Sequence, residues 1–304
     1  MNRPAHHPPA HTSGFTLVEL LIVMALGGLL LTVLLQLVLS SQRLYQSDSA
    51  RAAINQDVSV AIAAISNDVR QAGERLSADF PAVQVTGAAG KRSITVRRSV
   101  LDIVLPVCKD IKSGTATDVV FVSKKGGGGG SLPANCKEDS SEVGFDAWIN
   151  YRKANGGTVD AYLYDPVTGL GELFSYDAED GSGQHLHKGP GKWLNNYPVV
   201  NQPRVYILEE TTYTQDGSLV TLKRGSQAAA AFLPNVQTFE IEPIITDGGV
   251  LTTITGNFPT TTDSWKDLHT VRLSLTASQK AGGKTISRTF ESEFVPRNVF
   301  SENQ

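Results

Sequence analysis

Cysteine is scarce in this 304-residue chain: Cys108 and Cys136 are its only two, so it holds at most one internal disulfide. No sign of charge dominates. With 27 basic and 30 acidic residues the net charge is −3, which argues against a protein that coats nucleic acid. Glycine numbers 28 but follows no collagen-like period, and 40% hydrophobic with 19% charged residues is globular and not disordered composition. Catalytic signatures are missing too. There is no H-E-x-x-H, no G-x-S-x-G and no phosphate loop: "GPGKW" (189–193) has Trp193 where Ser or Thr would follow Gly-Lys. Nothing calls for a cofactor, and the chain reads as non-enzymatic.

What stands out is one long apolar run. Phe15 to Leu39 is 25 residues carrying a single charge, Glu19. As a helix it spans about 38 Å, enough for a hydrocarbon core of roughly 30 Å with tilt. It is too long for a secretory h-region, and no A-x-A-like site follows, so it reads as a retained membrane anchor. An acid inside such a segment is costly and marks function by default. Before the run, "MNRPAHHPPAHTSG" (1–14) holds three Pro and three His, a leader with no stable helix. After it, Ile54, Val58, Ile62, Ile65 and Val69 recur at helical spacing. With no Pro between Phe15 and Arg70, one helix of more than 50 residues is expected, ending near Gly73.

From residue 82 the pattern turns strand-like, at 99–107, 118–124, 144–153, 160–165, 171–177, 204–224, 235–245, 269–278 and 284–294. "TQDGS" carries an Asp-Gly hairpin signal. The fold class is therefore α+β. A long N-terminal helix has a membrane-spanning first half (15–39) and an amphipathic second half (40–73), and it packs on an antiparallel β-rich head (74–304).

Four short stretches offer chemistry. "KKGGGGGS" (124–131) reads as a flexible loop. Cys108 and Cys136 bracket it; beyond a membrane anchor they read as one disulfide in an oxidising compartment, the alternative being two buried thiols. His185 and His187 in "HLH" suit zinc if they share a strand face, but no third ligand is identifiable and a solvated loop is the plainer reading. "DAEDGSG" (177–183) breaks the calcium-loop pattern at Gly181 and reads as a surface loop. "KRSITVRR" (91–98) is a basic strand without interleaved aromatics, weak support for nucleic acid.

"GFTLVELL" (14–21), followed at once by the apolar span, resembles the class III signal of type IV prepilins and type II secretion pseudopilins. The resemblance implies that a membrane peptidase cuts Gly14–Phe15 and methylates the new amine of Phe15. It also gives Glu19, fifth after the cut, the family's role in assembly. The size of the chain, "NDVRQAG" (67–73) and "FVPRNVF" (294–300) resemble PilW-type minor pilins, with GspJ-like pseudopilins as relatives. The leader has one Arg where the family often has more, and Gln36 stands where many major pilins kink at Pro.

The expected protein is a minor pilin that sits in the inner membrane with its head in the periplasm and then enters the fibre. Its expected partners are other pilin and minor pilin subunits, the prepilin peptidase, the inner-membrane assembly platform and membrane lipid. The alternatives are a pseudopilin of a secretion or DNA-uptake system, and a tip module for DNA or a surface ligand, supported only by the basic strand and the Gly-rich loop.

Overall fold

In a computed structural model of the chain, residues 16–77, 80–116, 118–127, 132–180, 184–260 and 263–299 are described. Helix α1, Leu17–Gln71, runs for 55 residues, since no proline interrupts the sequence that forms it. Two compact units form: Met1–Ala52 with Lys280–Ile286, and Ala53–Gln279 with Ser287–Gln304.

In the first unit the apolar part of α1 is unburied along its whole length, with Leu17, Val23 and Leu31 among many fully presented side chains. It is the one described helix long and apolar enough to cross a membrane.

In the second unit α1 buries a single stripe: Ile54, Val58, Ala61, Ile65, Val69 and Ala72. Spacings of 3 and 4 keep these on one face. The centre of the stripe is Ala61, not Ile62, which is half-buried at its edge. Gly73 stops the helix at φ 80°, and its N–H donates to Arg97 O at 2.9 Å. A Cβ there would also lie 2.6 Å from the Trp265 ring, so only glycine fits.

The strands follow as β1 (Val83–Thr86), β2 (Ser93–Ser99), β3 (Leu105–Pro106) and β4 (Val119–Phe121). After the short helix α2 (Lys124–Gly127) and helix α3 (Phe145–Ala154) come β5 (Val159–Tyr164), β6 (Gly171–Glu179) and β7 (His185–Lys188). Then come β8 (Arg204–Asp216), β9 (Leu219–Arg224), β10 (Ala230–Pro234), β11 (Val236–Asp247), β12 (Val250–Thr253), β13 (Leu268–Ala281) and β14 (Lys284–Phe294). One sheet runs β1-β2-β8-β5-β6-β7-β4, with β3 and β9 also on β8 and β10 on β9; a four-stranded sheet runs β12-β11-β13-β14. β8 is the organiser. Its thirteen residues pair with β2 and β9 in one half and with β5 and β3 in the other.

Alternate residues of β5 and β8 face opposite ways. Ala161, Leu163, Val205 and Ile207 join a core with Phe145, Trp148, Phe174 and Trp193. Tyr162, Tyr164 and Tyr206 instead gather around Phe80, at ring distances of 5.5, 4.8 and 4.9 Å. Both faces of this part of the sheet are therefore covered.

Three expectations are corrected. Residues 144–153 are not a strand: α3 occupies 145–154. Its aromatics suit a strand, but Phe145, Trp148 and Ile149 are at helical spacing, and a capping box at Asp139 and Glu142 starts the preceding 3-10 turn. The run 99–107 is only paired at its ends; between β2 and β3 its backbone turns to other partners, with Ile103 O accepting from Trp148 Nε1 at 2.9 Å. Residues 124–127 of the Gly-rich loop form α2, while 128–131 lie outside the described residues.

Cys108 and Cys136 are joined across a separation of 28 residues, Cα–Cα 5.8 Å. In the chain-entropy account closing such a loop is worth about 3–4 kcal/mol. The double variant Cys108→Ala/Cys136→Ala is expected to melt several degrees lower than wild type, and reductant is expected to move wild type by the same amount while leaving the variant unmoved.

Three buried phenols touch carboxylates: Tyr213 on Asp68 (2.8 Å), Tyr197 on Glu172 (3.0 Å) and Tyr176 on Glu179 (3.0 Å). Burial above all, with the adjacent acids adding to it, pushes all three phenols up from their ordinary value. Each folded-state value is raised, so the stabilisation is complete below the unfolded phenol value and is lost as pH climbs beyond it. The melting temperature is expected to fall steeply above about pH 10. Phenolate absorbance should show these three tyrosines ionising only on unfolding.

Candidate functional site

The start of α1 is built by a local device. Thr16 is the residue before the helix; its carbonyl accepts from Leu20 N at 3.2 Å, the first helical bond. The Thr16 hydroxyl accepts from Glu19 N at 3.3 Å, and Glu19 Oε2 reaches back to accept from Thr16 N at 2.9 Å and Thr16 Oγ1 at 3.0 Å. This is a capping box, and "TLVE" (16–19) has the T-x-x-E spacing that encodes it. Glu19 is thus not a bare intramembrane acid but half of a cap that its own spacing to Thr16 encodes.

The box explains how the segment tolerates a carboxylate. At a helix N-terminus an anion meets unsatisfied N–H groups and the positive end of the helix dipole. Only one oxygen is used, since Oε1 accepts nothing from the described residues. Gly14 and Phe15 lie outside those residues. Covalent structure alone puts the nitrogen of residue 15 three bonds from Thr16 N, whose hydrogen Glu19 accepts. The site can thus hold a cation with the oxygen that the cap leaves open.

The other candidates resolve into structural roles. The basic strand is largely neutralised. Arg92 and Arg97 are buried, Arg92 on Glu240 at 2.8 Å and Arg97 on Glu210 at 2.6 Å. Arg98 donates to Glu209 at 2.6 Å. Arg97 and Arg98 stand directly opposite Glu210 and Glu209 in the β2–β8 ladder, a cross-strand match of "RR" with "EE". A basic face for DNA does not form here.

His185 and His187 sit on strand β7, not in a solvated loop. Their rings are 4.9 Å apart, with Asp180 3.4 Å from one and Asp118 3.8 Å from the other. No group of three or more His, Cys, Asp or Glu among the described residues can hold a metal. The acidic stretch 177–183 is also not all loop. Asp177 to Glu179 end β6, Glu179 takes both Arg152 Nε (2.9 Å) and Nη2 (2.8 Å), and 181–183 lie outside the described residues. Trp193 of "GPGKW" is buried edge-on against Phe174 at 5.3 Å, with Lys188 Nζ 5.0 Å from its ring centroid.

No curated protein and no solved structure matches the chain. The family model of the prokaryotic N-terminal methylation motif matches residues 10–35, the stretch that holds Gly14, Phe15, the Thr16–Glu19 box and most of the apolar span. That motif, with the long apolar helix and the antiparallel head, supports a type IV pilin-like or pseudopilin-like protein, processed by a prepilin peptidase, anchored in a membrane and associated with other pilin subunits.

Proposed function

We propose that the chain is a non-enzymatic minor pilin, cut at Gly14–Phe15, methylated on Phe15, and drawn from the inner membrane into a pilus fibre with its head on the periplasmic side. The methylation motif at 10–35 carries this reading. The large head, with loops on many of its connections, suits a sparse subunit at the start or tip of a fibre better than a densely repeated one. In this reading Glu19 Oε1 receives the cationic amine of a neighbouring subunit's first residue once the helices pack and water leaves. The PilW-type likeness in "NDVRQAG" and "FVPRNVF" belongs to the same proposal.

A pseudopilin of a type II secretion or DNA-uptake machine shares the motif and the anchor. Deletion of the gene separates the two. A minor pilin's loss depletes surface fibres while secretion continues, and the chain is recovered with sheared pili. Normal piliation with blocked export would replace this reading by the pseudopilin one. DNA binding at the head loses most of the support of the basic strand, because the arginines at 92, 97 and 98 are committed to Glu240, Glu210 and Glu209.

A further inference from the structure

The tip of the β13–β14 hairpin, Lys280–Ile286, falls in the same compact unit as α1 up to Ala52. Gly282 and Gly283 turn the chain at φ 57° and 79°, a two-residue loop that needs glycine at both positions. Gly282 lies against α1. A Cβ added to it would be 3.5 Å from Gln46 Oε1 and 3.8 Å from Arg43 Cα.

Charge at this place is one-sided. Residues 40–52 and 280–286 carry Arg43, Arg51, Lys280 and Lys284 against one acid, Asp48, which pairs with Arg51 at 3.5 Å. Arg43, Lys280 and Lys284 are exposed, and none has a carboxylate partner among the described residues.

Depth along the helix gives these charges a setting. Leu39 ends the apolar run, so Arg43 stands about 6 Å and Gln46 about 10 Å further along the axis. The headgroup layer adds roughly 5–8 Å beyond each side of the hydrocarbon. Arg43 therefore lies level with lipid phosphates, and the hairpin tip beside it lies at their outer edge. Tyr45, 76% exposed in the same turn, is the residue type that settles at a membrane interface.

We propose that Arg43, Lys280 and Lys284 form a contact site for the phosphate groups of anionic phospholipids on the side of the membrane where α1 emerges. The site rests on α1 spanning the bilayer, but adds a lipid preference that the anchor alone does not confer. Each basic group held near an anionic surface favours the contact roughly fivefold, and salt weakens it.

The test uses the full chain reconstituted in vesicles of phosphatidylcholine, with or without phosphatidylglycerol, and amine acetylation read by peptide mass spectrometry. Acetylation of Lys280 and Lys284 is expected to slow about fivefold in the anionic vesicles, while Lys223 stays unchanged. High salt should restore the rate, and Arg43→Glu should weaken the protection while leaving both reporter lysines in place. Flotation with both kinds of vesicle reports the anchor separately. Flotation with equal acetylation in both vesicles overturns the lipid site alone; failure to float overturns the membrane reading and the site with it.

Discussion

Glu19→Ala protein is expected to be cut at Gly14 as wild type is, yet to reach fibres at least about tenfold less efficiently. Two contributions are lost together. The first is local: the alanine cannot reach back to Thr16 N and Oγ1, and loss of a cap costs about 1 kcal/mol. The second is the open carboxylate oxygen, the only anion in the apolar span. An amine buried among packed helices without its counter-charge costs several kcal/mol, and every 1.4 kcal/mol is tenfold. While the subunit is alone, its amine can stay near headgroups and water, so the penalty falls on incorporation and not on processing. Glu19→Gln separates the two contributions, because glutamine also serves at this position of a capping box. It should keep the cap, lose the charge and behave much more like alanine than like wild type. Asp, shorter in reach but charged, should recover part of the incorporation. The measurement is the ratio of the chain in sheared fibres to that in membranes, with cleavage checked in the same samples. If Gln matches wild type, the cap is the whole role of Glu19.

Arg97→Ala is expected to be the most damaging single change in the head. Arg97 and Glu210 are both nearly buried, with side-chain exposures of 8% and 12%. The guanidinium also donates to Pro81 O at 3.1 Å and Gln84 Oε1 at 3.2 Å, and lies 5.4 Å from the Tyr162 ring. Removing one partner of a buried pair strands the other, typically at about 3–5 kcal/mol. For a head of this size that is a drop in melting temperature of about 10 °C. The double variant Arg97→Met/Glu210→Leu removes both charges and should recover most of the loss. A drop that persists in the double variant would place the effect in the Pro81, Gln84 and Tyr162 contacts instead.

How much of this was legible in the sequence follows from how local each signal is. α1 shows because its apolar span and then its 54-to-69 stripe repeat over many turns without proline. The β8–β9 hairpin shows because Asp216-Gly217 announces it, although Gly217 and Ser218 form the loop and Asp216 pairs with Leu219. The capping box at Thr16 is equally local, four residues of T-x-x-E, although the apolar surroundings of Glu19 draw attention to the membrane and not to its own helix. The helix at 145–154 is hidden because Phe, Trp, Ile and Tyr suit strands by type, and only their spacing betrays the helix. The neutralisation of the basic strand was beyond reach. Arg92 meets Glu240, and Arg97 meets Glu210, across more than a hundred residues, and only the folded chain brings them together.

Whether the N-terminus is a prepilin signal is decided by the intact mass of the protein extracted from its native membrane. One species is expected, lacking residues 1–14, beginning at Phe15 and heavier by a single methyl group, with Cys108 and Cys136 oxidised. A mature chain that still carries His6, His7 and His11, or that begins anywhere other than Phe15, would contradict it.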